Sequence, residues 1–238
     1  MDNRIENSMP SGAILSRLST EDQVAFYKKT YSHVAGGVLV FILFEYLLFQ
    51  SEAIVEFTLS MTQGYLWLVM LGGFMLITNF AESTALRTTD KNKQYLAYGV
   101  YILAEAFIFV PMIYIAAFYL EAGAGILQQA AIVTLALFTG LSAVVLITKK
   151  DFSFLKTGLT IGFFIALGLV IAGSIFGFNM GLWFSVGMCL LAGGSILYQT
   201  SNLVHKYSQD QYIPAAIGLF ASLMLLFWYI LRIFMSRD

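Results

Sequence analysis

The sequence predicts an all-α polytopic membrane protein with seven transmembrane helices, and two observations carry that fold class. Of 238 residues, 59% belong to the set Ala, Val, Ile, Leu, Met, Phe, Trp, Tyr and Cys, and only 11% are Asp, Glu, Lys or Arg. Soluble domains are about 25% charged, so a soluble chain of this composition could not cover its own surface. The apolar residues also fall in seven continuous stretches, each close to the roughly 20 residues that cross a bilayer core as a helix. The ten-residue alternation of a membrane β-barrel is missing. A net charge of −1 without a basic patch argues against nucleic-acid binding. One cysteine, Cys189, excludes an internal disulfide and a Cys-based metal centre.

Residues 1–29 read as a polar segment with Pro10 and eight formal charges, ahead of a seven-helix domain over 30–238. No apolar stretch precedes a small-residue cleavage site, so the first span is expected to act as its own insertion signal. Spans are expected at 31–49, 65–81, 95–119, 126–148, 154–172, 182–203 and 213–235. The first carries Gly36, Gly37, an interfacial or packed His33 and, in its outer half, Glu45. In the second, Met75, Thr78, Asn79 and Glu82 share one face. The third is the longest; Pro111 should kink it, because proline removes an intrahelical bond. Tyr98, Tyr101 and Glu105 share a face of that span, with Glu105 about 15 Å from its start and so near the midplane. The pairs Gly158/Gly162 in the fifth span and Gly218/Ser222 in the seventh sit four apart on one face, and Gly193 and Gly194 lie in the sixth. Small residues in this pattern let helices approach closely in lipid. The sixth span also carries Ser195, Gln199, Asn202 and Lys206, spaced four, three and four, and His205 with Lys206 reads as an interfacial pair.

Orientation follows from the thirteen Lys and Arg residues. Arg4, Arg17, Lys28 and Lys29 precede the first span. The second connection holds Arg87, Lys91 and Lys93, the fourth Lys149, Lys150 and Lys156, and the sixth Lys206. The first, third and fifth connections hold none. This alternation is the positive-inside pattern and puts the N-terminus in the cytoplasm. Arg232 and Arg237 then fall outside if the last span crosses fully.

Ionisable groups at membrane depth are functional hypotheses by default. Glu105 with Tyr98 and Tyr101, Asn79 with Glu82, and Gln199 with Asn202 give three polar faces that should not meet lipid. Two readings stay open: a polar cavity or ion path opening inwards, or interhelical hydrogen bonds that only fix the bundle. An unpaired carboxylate at mid-membrane costs on the order of 2.5–3.5 kcal/mol on insertion scales, so Glu105 is expected to carry its proton and bond a tyrosine. The chain has no phosphate loop, HExxH or Ser–His–Asp set, so neither an enzyme nor a cofactor is expected.

Several segments resemble the Bax inhibitor family (transmembrane Bax-inhibitor-motif proteins), and within it the bacterial YccA-like members. They are Thr148-Lys-Lys-Asp-Phe-Ser-Phe-Leu155, Ile196-Leu-Tyr-Gln-Thr-Ser-Asn-Leu-Val-His205, Tyr212-Ile-Pro-Ala-Ala216 and Ser236-Arg-Asp238. The first half matches mainly in its pattern of spans. The resemblance implies two three-helix layers around a central C-terminal helix. It also implies a pH-sensitive calcium leak, protection against cell death in eukaryotic relatives, and modulation of the membrane AAA protease FtsH in bacteria. Relatives with a leak carry an aspartate pair on the sixth and seventh spans; here Gln199 stands at the first position and Ser222 near the second. An amide and a hydroxyl neither share a titrating proton nor offer a cation formal charge. The expectation is therefore a bacterial cytoplasmic-membrane protein that contacts lipid and acts in one of two ways. It leaks calcium ions or protons with Glu105 as the principal acid, or it binds a membrane AAA protease without conducting.

Overall fold

A computed structural model describes residues 18–62, 64–120, 123–178 and 180–236. The residues before 18, including Arg4 and Arg17, and the terminal Arg237-Asp238 lie outside the described set. Eight helices follow in order: α1 (Thr20–Phe49), α2 (Glu52–Ser60), α3 (Leu66–Arg87), α4 (Lys91–Phe118), α5 (Ala124–Thr148), α6 (Leu155–Phe176), α7 (Gly181–His205) and α8 (Tyr212–Met235). Seven are long and apolar enough to span a bilayer, and they coincide with the seven expected stretches.

Two differences from the expected elements have local causes. Helix α1 begins at Thr20, well before the apolar stretch, because Ser19 caps it. The Ser19 Oγ accepts the Asp22 N–H at 3.2 Å and donates to the Asp22 carboxylate at 2.7 Å. Helix α2 was not expected. At nine residues it is too short to cross, and it buries Val55 and Thr58 against the bundle. Helix α4 continues as one helix through Pro111, which is buried in its interior.

Helix α8 is the centre. It packs on α1, α3, α4, α5 and α7, while α3 and α4, α4 and α5, α5 and α7, and α6 and α7 pair around it. Its first stretch, from Tyr212 to Phe220, is buried without interruption. Phe220 sits edge-on to both Tyr98 and Tyr101 of α4, and Phe109 of α4 sits edge-on to Trp228. At the basic end, the Tyr212 ring lies under two ammonium groups, Lys29 at 3.7 Å and Lys91 at 4.5 Å from its centroid. Helix α6 touches chiefly α7 and meets α3 only loosely.

The glycines divide. An added Cβ at Gly37 would overlap the Tyr98 hydroxyl, at Gly162 it would lie 2.7 Å from Leu191, and at Gly194 3.2 Å from Leu159. Gly36 and Gly158 face open space. The expected Gly158/Gly162 contact pair is therefore corrected: only Gly162 makes a close approach, because α6 leans on α7 over a narrow strip.

Candidate functional site, a cavity along the central helix

A cavity of about 950 Å³ runs along α8 between α3, α4, α6 and α7. At the end nearer the basic connections its walls carry Glu82, Tyr101, Glu105, Ser195, Gln199 and Ser222. Toward the opposite, charge-poor end they become apolar and aromatic, with Leu71, Phe74, Phe109, Met112, Leu225 and Trp228, and Arg232 lines that end.

Each polar group arrives by helical spacing. Tyr101 and Glu105 are one turn apart on α4, both buried and both in the lining. Glu82 comes from α3, and Ser195 and Gln199 are one turn apart on α7. On α8, Ser222 bonds Ser195 at 2.8 Å and the Gly218 carbonyl at 2.9 Å. Gln199 meets Gly218 instead: a Cβ there would stand 3.0 Å from the Gln199 amide. So the α8 position packed against Gln199 is Gly218, one turn before Ser222. An acid at 199 would face bare backbone there.

Of the eight residues expected in the polar cavity, five line it: Glu105, Tyr101, Glu82, Gln199 and Ser222. Tyr98 turns away and donates its hydroxyl to the His33 carbonyl of α1 at 3.0 Å. Asn79 is exposed on α3. Asn202 is buried in α7 outside the lining, and its Oδ1 has no partner among the described residues. Three side chains share a helical face with lining residues yet sit too far round the helix to reach the cavity. Ser195 was expected on the α7 face and is present.

Two groups were read differently from the sequence. Arg232 entered there only as a charge to be placed inside or outside, whereas it lines the cavity; its spacing of three, four and seven from Tyr229, Trp228 and Leu225 could have shown this. Glu45 of α1 is 6% exposed, and neither carboxyl oxygen has a partner among the described residues. It lies outside the cavity lining.

His33 is an interfacial packing residue. Its Nδ1 faces the Lys29 carbonyl at 2.7 Å and must donate, which leaves Nε2 to accept from the Tyr95 hydroxyl at 2.9 Å when the ring is neutral. His205 likewise caps its own helix through Nδ1 and the Ser201 carbonyl, 2.9 Å apart.

The segments 148–155 and 196–205 meet at the basic end. The Phe152 N–H donates to Ser201 Oγ at 2.9 Å, and Ser201 donates to the Asp151 carboxylate at 3.3 Å. Hydrogen bonds from Ser153 hold the Asp151 carboxyl below its ordinary range. The connection between α5 and α6 is thereby pinned to the end of α7.

Comparison with known proteins agrees with these segments. Residues 23–238 match the family described as "Inhibitor of apoptosis-promoting Bax1". An uncharacterized protein of Pseudomonas aeruginosa is 41% identical over 113 residues, which cover 47% of this chain and 50% of that one. "Protein lifeguard 4" of Mus musculus is 29% identical over 232 residues, covering 96% of this chain and 92% of its own. "Modulator of FtsH protease YccA" of Escherichia coli is 36% identical over 124 residues, covering 50% of this chain and 56% of its own. The alignments to these two bacterial relatives thus span about half of each. With a match over nearly its whole length and a central last helix packed by α1, α3, α4, α5 and α7, the chain belongs to the Bax inhibitor family of multi-pass membrane proteins.

Proposed function

We propose that this protein is a slow leak pathway for calcium ions or protons, with Glu105 as the principal acid and Glu82 as the second. The observation that carries this reading is the cavity itself. It brings two carboxyl groups from different helices, with Tyr101, Gln199 and two serines, into one space at membrane depth. Polar groups are expensive there, and an interior that collects them points to passage of a polar species. Among the described residues no three His, Cys, Asp or Glu side chains form a metal cage, so calcium would pass rather than be held. Position 199 supplies an amide, which stays uncharged at all physiological pH values. The acids of this pathway therefore sit on α3 and α4.

The test is cation flux into liposomes holding the purified protein. Glu105→Gln should abolish flux in a folded protein, and Glu82→Gln should reduce it. Adding acids at two facing positions, Ser195→Asp plus Ser222→Asp, whose hydroxyls lie 2.8 Å apart, should introduce a pH dependence between about 5 and 8, since two like charges raise one carboxyl pKa. Flux no faster than in protein-free liposomes would sink the reading, and a steep pH switch in the unmodified protein would overturn the role given to Gln199.

A second reading has its own support in the relative named a modulator of FtsH protease. Here the chain would bind a membrane AAA protease without conducting, through its cytoplasmic segments. Co-purification of such a protease with a chain that shows no flux would favour it. Both readings place the basic end in the cytoplasm of a bacterial inner membrane, on the Lys/Arg distribution. In a Cys189→Ser background, labelling of Thr89→Cys by an impermeant thiol reagent on intact cells would refute that orientation.

A further inference from the structure

The outer part of the cavity has a chemistry that ion passage does not use. From Gly218 to Arg232 the α8 wall is about 21 Å long at the helical rise. The cavity along it holds about 950 Å³. A space of this length and volume admits one or two extended hydrocarbon chains. Between Ser222 and Arg232 the walls are mostly hydrocarbon and aromatic ring, among them Leu71, Phe74, Phe109, Met112, Leu225 and Trp228, and the Ser174 hydroxyl is taken up by its own helix's Val170 carbonyl. Helices α3 and α6, which flank this stretch, scarcely touch, so the space faces the bilayer along a seam.

At the end of that stretch stands Arg232. Among the described residues it is the one Lys or Arg in the cavity lining, it is half-buried, and no ion pair to a carboxylate forms there. It lies in the last turn of α8, at the depth where a membrane arginine reaches the headgroup layer. A cation removed from water without a partner is costly, and an anion relieves that cost.

We infer that the cavity binds an anionic phospholipid of the surrounding membrane, its phosphate at Arg232 and an acyl tail between α3, α4 and α8. The tail occupies the apolar stretch and stops short of Glu105, whose polar surroundings suit water or an ion. The occupant shares the cavity with the proposed leak pathway, but its binding is read out without any flux, so either proposal can fail alone.

The three tryptophans make the test direct. Trp67 and Trp228 line the cavity and stack at 6.0 Å. Trp183 is 83% exposed on the outer surface and is removed as Trp183→Phe. That protein is placed in phosphatidylcholine vesicles doped with phosphatidylglycerol or phosphatidylcholine carrying brominated tails, which quench tryptophan on contact. The brominated phosphatidylglycerol should quench at about tenfold lower mole fraction, the lower end of what a charge-assisted hydrogen bond supplies. Arg232→Gln should erase the difference, and Arg232→Lys should retain part of it, with circular dichroism confirming that both stay helical. Equal quenching by the two lipids in the parent protein, or an anionic preference that survives Arg232→Gln, would overturn the proposal.

Discussion

Helices α6 and α8 are almost equally apolar, with mean hydropathies of 2.4 and 2.0, yet 6% of the first window is buried and 61% of the second. Each carries one serine and three phenylalanines, with four glycines on α6 and one on α8. Lipid tails and leucine side chains are equivalent surroundings for an apolar residue, so hydropathy says that a segment enters the membrane and nothing about which neighbours it meets there. What separates the two is where small and polar residues fall. On α8, Gly218 and Ser222 lie on one face, one receiving Gln199 and the other bonding Ser195. On α6, Gly158 and Gly168 face open space, Gly162 takes the Leu191 side chain of α7, and Gly173 meets only Phe178 and Met180 of the connection that follows.

Replacing the same residue type on the two helices should sharpen that difference. Phe220 on α8 is fully buried against Tyr98 and Tyr101, so Phe220→Ala should destabilise by about 3–5 kcal/mol. Phe164 on α6 is 65% exposed, and Phe164→Ala should stay within about 0.5 kcal/mol. Denaturant unfolding in detergent micelles measures both, and equal losses would break the comparison.

A smaller effect is expected from glycines. Gly37 of α1 lies against the Tyr98 hydroxyl and the Phe220 ring of α8. Gly37→Ala overfills that contact and should cost about 1–3 kcal/mol. Gly168 of α6 has nothing within 4 Å of a new Cβ, so Gly168→Ala should be neutral or stabilise by up to about 1 kcal/mol through helix propensity. A loss at Gly168 as large as at Gly37 would show that α6 is packed more tightly than its exposure implies.

The spans were legible in the sequence because the free energy of inserting a helix depends on composition, which needs no partner. Helix α2 was not legible: nine residues give too short a window for hydropathy, and its burial depends on α4. The early start of α1 did have a signal in the Ser19…Asp22 cap, which the polar composition of the segment obscured. At the site, spacing identified the correct faces and carried Tyr101, Glu105, Glu82 and Gln199 into the cavity. It could not decide how far round a helix the cavity reaches, which is why Tyr98, Asn79 and Asn202 share spacing with the lining but not its position. The opposition of Gln199 to Gly218 is a matter of axial offset between two helices, and neither sequence segment alone contains it.

The central place of α8 also has a consequence in time. Chains are made from the N-terminus, so earlier segments leave the ribosome first. Here the element that touches five of the others leaves the ribosome after all of them. Until it arrives, the helices already inserted surround a vacancy, and Glu105, Tyr101 and Gln199 have no inner wall to face. The nascent bundle therefore passes through a stage with its polar interior open to lipid or water. Its maturation is a single late event, the seating of Tyr212 beneath Lys29 and Lys91 and of Phe220 between two tyrosines. Membrane quality control would have that interval in which to distinguish a finished copy from an unfinished one.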